Sequence, residues 1–542
     1  MLLTSILTAL ILLSPALSSQ SPLTDSLGTD NGPSPQSARE NAQHIFNAVH
    51  AAMRQWDSSL KHNGMSFFAA TIPNNTLLYH GAHTKEPVKG MEWLAFEIEH
   101  AEMFARGRGP PGRRPGGGGP GRGPPGEGPP GEGGPGNGRG PPPPFTFEKD
   151  RHSAEDEEPV QHGYLHTYRT SRPLTKLLYI DGMSAGKTSM GTLDTQDLIL
   201  GNASQTQAPW GDYQRAVTLC ELGAEAGIEG FLRMEAGFEL ILCNFTEGLE
   251  FVSAYQRPDA TDDPEAGFSE LSQFEYVRGV AARYHGINGG RVVLDYSTMV
   301  SAFFYGLNLT NPDPKKAVLP RLVSNSAEER ERVKDDVVSL FSPARSEEHS
   351  TIDWLGITDM IVTRYSDRLQ FLASGNLTNR TMLSEINFLL NVFIDYTEPS
   401  IPNSIQKCTD IYLTLIPGTI SDHLIYEALS TVSSKICRTL FEVRTILFED
   451  ASATSNSAVE QGNEAIQALI DYLDWPTWLE CGKCAYDEVC FVAIWPWGAP
   501  EDHENPGCIK VDDLRSRHGY WDMNGGGGGP RPKGVDEGRE DL

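Results

Sequence analysis

Near Asn325 the spacing of apolar residues changes, and no other feature of the chain constrains its fold as strongly. Before that point apolar residues come in short runs broken by Gly, Pro and Asn, as in "MSFFAATIPNNTLLYHG" and "GRVVLDYSTMV", the pattern of strands joined by turns. After it they recur every three or four residues over long stretches, as amphipathic helices require. Five such stretches follow one another: "AEERERVKDDVVSLF", "TIDWLGITDMIVTRYSDRLQFL", "TMLSEINFLLNVFIDY", "DHLIYEALSTVSSKICRTLFEVRTILF" and "SAVEQGNEAIQALIDYLDW". Ser326-x-x-Glu329 and Ser350-x-x-Asp353 have the form of capping boxes ahead of the first two. The expectation is an α+β chain, with a mixed α/β domain over residues 41–310, a helical domain over 325–475 and a small disulfide-rich cap over 476–520.

Within the first part, "ARENAQHIFNAVHAAMRQW" reads as one helix with Ile45, Val49, Met53 and Trp56 on its apolar face. "MEWLAFEIEHAEMFARG" passes from a strand into a short helix, and a helix from Asp212 leads into "IEGFLRMEAGFELILCNF", apolar enough for a buried hairpin. Residues 107–144 are nearly all Gly and Pro. Their glycines do not keep the three-residue period of collagen, so the stretch reads as a disordered insertion at a surface turn. The lead-in (19–40) and the tail (521–542) are polar and expected to be disordered.

Residues 1–18, "MLLTSILTALILLSPALS", have the short apolar core and small-residue end of a signal peptide, too short to span a bilayer. Six Asn-x-Ser/Thr sequons, at Asn74, Asn202, Asn244, Asn308, Asn376 and Asn379, agree with a secretory route. The eight cysteines, Cys220, Cys243, Cys408, Cys437, Cys481, Cys484, Cys490 and Cys508, are even in number, which in an oxidising compartment means disulfides. Zinc at Cys481-x-x-Cys484 with Cys490 and Cys508 is the competing reading, and the pairing is not fixed by sequence. A formal charge of −28 opposes nucleic acid and anionic lipid as partners. The chain is therefore expected to be secreted and extracellular, without a membrane span, its partner an extracellular ligand.

The stretch "KLLYIDGMSAGKTSMGTLDTQD" carries the chemistry that the sequence offers. It is not a phosphate-binding loop: three residues rather than four separate Gly182 from Gly186, and Asp181 stands where the first glycine belongs. Gly182-Met183-Ser184-Ala185-Gly186 has the letters of a nucleophile elbow, but the following "KTSMGTLDTQD" is a poor helix; His285 and His503 are the candidate bases under that reading. Asp181, Ser184, Lys187, Asp194 and Asp197 together form a polar cluster on a loop after a strand, where an acid/base set or a cation site is possible and a hydrogen-bonded structural turn is the alternative.

Two resemblances add to this reading. "LLYHGAHTKEPVKGMEWLAFEIEHAEMFARG" followed by "GYLHTYRTSRPLTKLLYID" resembles the opening of the ADP-ribosyltransferase-type fold. That resemblance implies His80 as a contact to the adenosine ribose of NAD and Tyr168 as an aromatic partner, while Glu235 and Glu239 do not match the spacing of the family's acidic pair. "YIDGMSAGK…GTLDTQD", "GFLRMEAGFELILCNF" and the terminal "CAYDEVCFVAIWPWG" segment resemble a group of uncharacterised secreted fungal proteins, which implies shared architecture and an extracellular location but no reaction. The resulting expectation is an acidic, N-glycosylated, disulfide-stabilised extracellular protein with a binding or structural role. The alternative is an enzyme, either of NAD glycohydrolase type or a serine hydrolase, using His80, Asp181, Ser184 and Lys187. No cofactor is expected, and NAD enters only as a substrate.

Overall fold

The computed structural model describes residues 32–105, 162–201, 211–258, 270–342, 350–449, 457–514 and 516–521. The expected signal peptide, the Gly/Pro insertion and Asn202 lie outside the described residues. Three helices open the fold: α1 (Pro35–Glu40), α2 (Ala42–Ala51) and α3 (Gln55–Leu60). Strands β1 (Ser66–Ile72), β2 (Leu77–Ala82) and β3 (Glu92–Ala95) follow, then α4 (Ile98–Glu102), β4 (Tyr164–Thr170) and β5 (Leu174–Ile180). After α5 (Asp212–Ala226) come β6 (Gly230–Met234), β7 (Phe238–Leu242), β8 (Leu249–Gln256), α6 (Glu270–Ala281) and β9 (Val293–Ser301). The nine strands make one sheet in the order β8-β4-β2-β3-β7-β6-β5-β1-β9. Among the described strands only β5–β6 pair in parallel, and α5 lies on the crossover that parallel pairing demands.

The helical half comprises α7 (Ala327–Ser339), α8 (Trp354–Leu372), α9 (Asn379–Leu390), α10 (Ile401–Asp410), the 30-residue α11 (Ile420–Glu449) and α12 (Ser457–Leu473). Helix α11 touches α2, α9, α10, α12 and β9, so a single hydrophobic core runs from Phe67 and Phe231 in the sheet through Phe46 and Val49 to Ile436 and Leu440. The two stretches read separately from sequence share that core. The chain is thus α+β with helices and sheet joined, and no described helix is long and apolar enough to cross a membrane.

Several local expectations change, each for an identifiable reason. The helix read over 38–56 is three helices, because Asn41 leaves helical geometry and Met53 takes a left-handed φ of 58°, its N–H donated to the Tyr179 hydroxyl at 3.2 Å. Structure begins within the expected lead-in: the Ser34 hydroxyl caps α1, and Ala38 is fully buried. The Ser326–Glu329 capping box forms, but the cap of α8 is Asp353, which accepts the Gly356 N–H at 2.8 Å, while Ser350 accepts the Ile352 N–H. Helix α6 had no counterpart in the sequence reading.

The C-terminal cap contains β10 (Val489–Phe491), α13 (Pro500–Glu504), β11 (Gly507–Ile509) and α14 (Val511–Leu514). It docks on α3 and α6, with Phe491, Ile494 and Trp497 packed against Phe274, Tyr276 and Val277, while Trp495 joins the main core and Trp478, at the start of the expected cap, donates to the Ser366 carbonyl on α8 at 3.0 Å. Tyr520 and Trp521, the latter at the edge of the expected tail, are buried, and His62 shares a 2.8 Å hydrogen bond with the Tyr520 hydroxyl. All eight cysteines pair, as Cys220–Cys243, Cys408–Cys437, Cys481–Cys490 and Cys484–Cys508. The first ties α5 to the residue after β7. Although Cys481, Cys484 and Cys508 lie close enough together for a metal, their thiols are consumed in disulfides.

Candidate functional site

The loop after β5 is fastened to the sheet by its backbone. Asp181 N–H donates to the Ser66 carbonyl at 3.0 Å, Met183 N–H to His62 at 2.9 Å and Ala185 N–H to Met234 at 2.9 Å. Gly182 has φ 71° and faces Gly64 so closely that a Cβ on either would enter the other's backbone surroundings. The Asp181 carboxylate accepts its neighbour Gly182's N–H at 2.8 Å, and burial raises its pKa to about 7. Ser184 is fully buried and donates its hydroxyl to the Ile180 carbonyl at 2.8 Å. No helix follows this turn directly, and neither His285, beside Glu480, nor His503, bonded to the Leu60 carbonyl, reaches Ser184.

Lys187 leaves this loop for an ionic centre. Its ammonium donates to Glu235, lies 3.6 Å from Asp212 and stands 5.1 Å from the centre of the Trp495 ring. Arg233, entirely buried on β6, donates from Nε to Glu239 at 2.6 Å, from Nη1 to Gln196 at 2.8 Å and from Nη2 to Asp212 at 2.8 Å. Arg215 on α5 clasps Asp197 through Nε at 3.0 Å and Nη2 at 3.1 Å. The β6–β7 hairpin sets Arg233 opposite Glu239, while Gln196 and Asp197 come from a π-type turn at Thr195–Leu200, a helix form that recurs at functional sites.

Four carboxylates, Asp197, Asp212, Glu235 and Glu239, thus meet three cations, Lys187, Arg215 and Arg233. One carboxylate is under-compensated. Burial, with Glu239 and Asp212 nearby, pushes Glu235 up to about 7 despite Lys187. Burial also works to raise Asp212, yet Arg233 and Lys187 together hold it well below the usual carboxylate range. Lys187 itself is raised, because Asp212 and Glu235 outweigh its desolvation. The centre therefore pairs a carboxyl that carries a proton near neutrality with one that stays ionised. Asp212 is the most open of these side chains, 14% exposed, and its Oδ1 has no hydrogen-bond partner among the described residues.

Of the sequence-derived candidates, only Lys187 and Asp197 enter this centre. Asp194 holds Arg321 and the Leu322 N–H instead. His80 shares a 2.8 Å hydrogen bond with the Trp93 carbonyl, packs on His166 and Phe245, and is pushed by burial down to about 4; it shares no partner with Lys187. Tyr168 is buried against Phe245 and Phe251. Asp212, Arg233, Glu235 and Glu239 were missed as a set. Their signal was present, since charges inside the apolar run "GFLRMEAGFELIL" must find partners if the run is buried.

The segments that carry the fungal resemblance meet here: the loop with Lys187, the π-type turn with Gln196 and Asp197, the hairpin, and Trp495 from the cap. Residues 36–266, which include the whole ionic centre, match the family model described as the YPL277C N-terminal domain. The chain is 28% identical to a Saccharomyces cerevisiae protein named Uncharacterized protein YOR389W, over 88% of this chain and 86% of that one. It is 29% identical to Uncharacterized protein YPL277C of the same yeast, over 68% of this chain and 83% of the relative. These similarities support the resemblance to uncharacterised fungal proteins. No solved structure matches the chain, and the ADP-ribosyltransferase-type resemblance gains no support.

Proposed function

We propose that this chain is an extracellular, N-glycosylated binding protein that takes a small polar ligand at the ionic centre. Four disulfides suit an oxidising compartment, and the sequons at Asn74, Asn308 and Asn376 are exposed. Asn379, by contrast, donates its amide to the Leu447 carbonyl at 3.2 Å. The observation that carries the binding reading is the Asp212 Oδ1 atom, buried without a hydrogen-bond partner among the described residues, on the most open side chain of a network whose other members are paired. Leaving such an acceptor unmet costs about 1–3 kcal/mol, and a ligand hydroxyl or ammonium would recover it.

Thermal unfolding of the secreted protein in the presence of monosaccharides, amino acids and linear diamines tests this. One class should raise the midpoint, and Glu235→Gln should abolish that rise while remaining folded by circular dichroism. Silence across the panel at millimolar concentration, with Asp212→Asn at least as stable as the wild type, would reduce the centre to a structural fastening. A mass decrease on enzymatic removal of N-glycans checks the secretory part.

Acid–base catalysis is the second reading, favoured by the separation of Glu235 from Asp212 in proton affinity, which is how paired carboxyls divide into acid and base. Turnover of a candidate substrate lost in Glu235→Gln would support it. NAD and simple esters belong in the same assays, with His80→Ala and Ser184→Ala as their respective controls.

A further inference from the structure

The helical half carries an open groove of about 520 Å³, far from the ionic centre in composition, lined among others by Met360, Arg364, Arg368, Phe388, Leu389 and Tyr412. A second trough of about 420 Å³, with Arg380 and Leu383, shares Phe388 with it. Two large apolar side chains of the lining stand in solvent: Met360 at 47% exposure and Phe388 at 70%. Contiguous exposed apolar surface of this kind marks interaction sites.

The charges say what kind of occupant fits. On a chain of net charge −28, this groove faces the solvent with arginines. Arg368 spends its charge on Glu385 at 2.5 Å and lies over the Phe388 ring. Asp359, the acid in the lining, is taken by Arg54 at 2.7 Å and by His50. Arg364 has no carboxylate partner among the described residues: Nη2 donates to the Leu389 carbonyl at 2.9 Å, the guanidinium rests on Tyr365 and Phe393, and its buried Nε is unbonded. Arg380 in the second trough likewise has no carboxylate partner among them.

We propose that this groove binds a single-chain anionic amphiphile, a long-chain carboxylate, with its head at Arg364 and its chain along Met360 and Phe388. The volume lies in the range of small-molecule sites. A second copy of the chain docked face to face would set arginine against arginine, and an anionic bilayer would meet the repulsion of the acidic surface as a whole.

The test is titration of the intact glycosylated protein with oleate below its micelle concentration, followed by calorimetry, with oleyl alcohol as the uncharged analogue. Saturable binding with one equivalent is expected, at least tenfold tighter for the carboxylate than for the alcohol. Arg364→Gln should erase that discrimination, and Phe388→Ser, at an exposed position where folding is not at stake, should weaken both ligands at least fivefold. Absence of saturable oleate binding, equal affinity for acid and alcohol, or indifference to Phe388→Ser overturns the proposal. Self-association in analytical ultracentrifugation that Phe388→Ser abolishes would also overturn it, by making a second copy the occupant.

Discussion

Replacing Asp181 by Asn removes a buried carboxyl with almost no change of shape, and the pH dependence of the effect can be worked out from the structure. The Asp181 side chain lies beneath the turn between β5 and the ionic centre, with Tyr179 and Tyr296 among the groups that face it and the Gly182 N–H as its hydrogen bond. Burial raises its pKa from 3.8 to about 7. A group raised in this way contributes its full stability below the unfolded value and loses it as pH climbs through the folded one. At about 1.4 kcal/mol for each tenfold change in proton affinity, the rise corresponds to about 4 kcal/mol between pH 4 and pH 8. Asn keeps the acceptor for Gly182 and never ionises. Urea unfolding followed by tryptophan fluorescence should therefore give near-equal stabilities at pH 4 and an advantage for Asp181→Asn that grows between about pH 4 and pH 7 and levels off above it. With a denaturant slope of roughly 3–4 kcal/mol/M for so large a chain, the gap at pH 8 approaches about 1 M in midpoint. Parallel pH profiles would show that the carboxyl is not desolvated. A variant less stable than the wild type at pH 8 would show that the ionised form is held by a partner, and Asp181 would return as a working carboxylate.

Lys187→Met should destabilise the fold by about 3–5 kcal/mol at pH 8, because it removes the cation that Glu235 accepts from and leaves Asp212 to Arg233 alone, and by less at pH 5, where Glu235 takes a proton; a loss under 1 kcal/mol at pH 8 would refute the ionic centre as drawn. His50 lies between Asp57 at 3.1 Å and Asp359 at 3.2 Å; burial works against its charge, but these carboxylates outweigh it and raise the pKa above 6.5. Its contribution is present below 6.5 and lost as pH rises through the raised value, so His50→Gln should lower the thermal midpoint at pH 5 and converge on the wild type at alkaline pH. Equal losses at both would contradict that clamp. Thiol titration of the denatured, unreduced protein should find no free cysteine, and replacing Cys484 and Cys508 together by Ser should cost about 2–5 kcal/mol in unfolding free energy.

Sequence alone determined the elements whose causes are local. The helical period after Asn325, the capping box at Ser326, the helix from Asp212, the apolar hairpin and the even cysteine count each rest on residues a few positions apart, and all of them appear in the fold. Local signals also misled where a distant group intervened: the Tyr179 hydroxyl helps hold the bend at Met53, and Asp353 rather than Ser350 caps α8. The ionic centre was only half legible. Lys187 stood out in its loop, whereas the hairpin read as an apolar run and its charges were passed over; nothing in the chain said that the two were the same place. That was decided by topology: the parallel β5–β6 contact brings the ends of two strands together, α5 returns Asp212 beside them, and the cap lays Trp495 over Lys187. Burial then removed water as a partner, and charges that a solvated loop would have left to solvent had to satisfy one another across the fold.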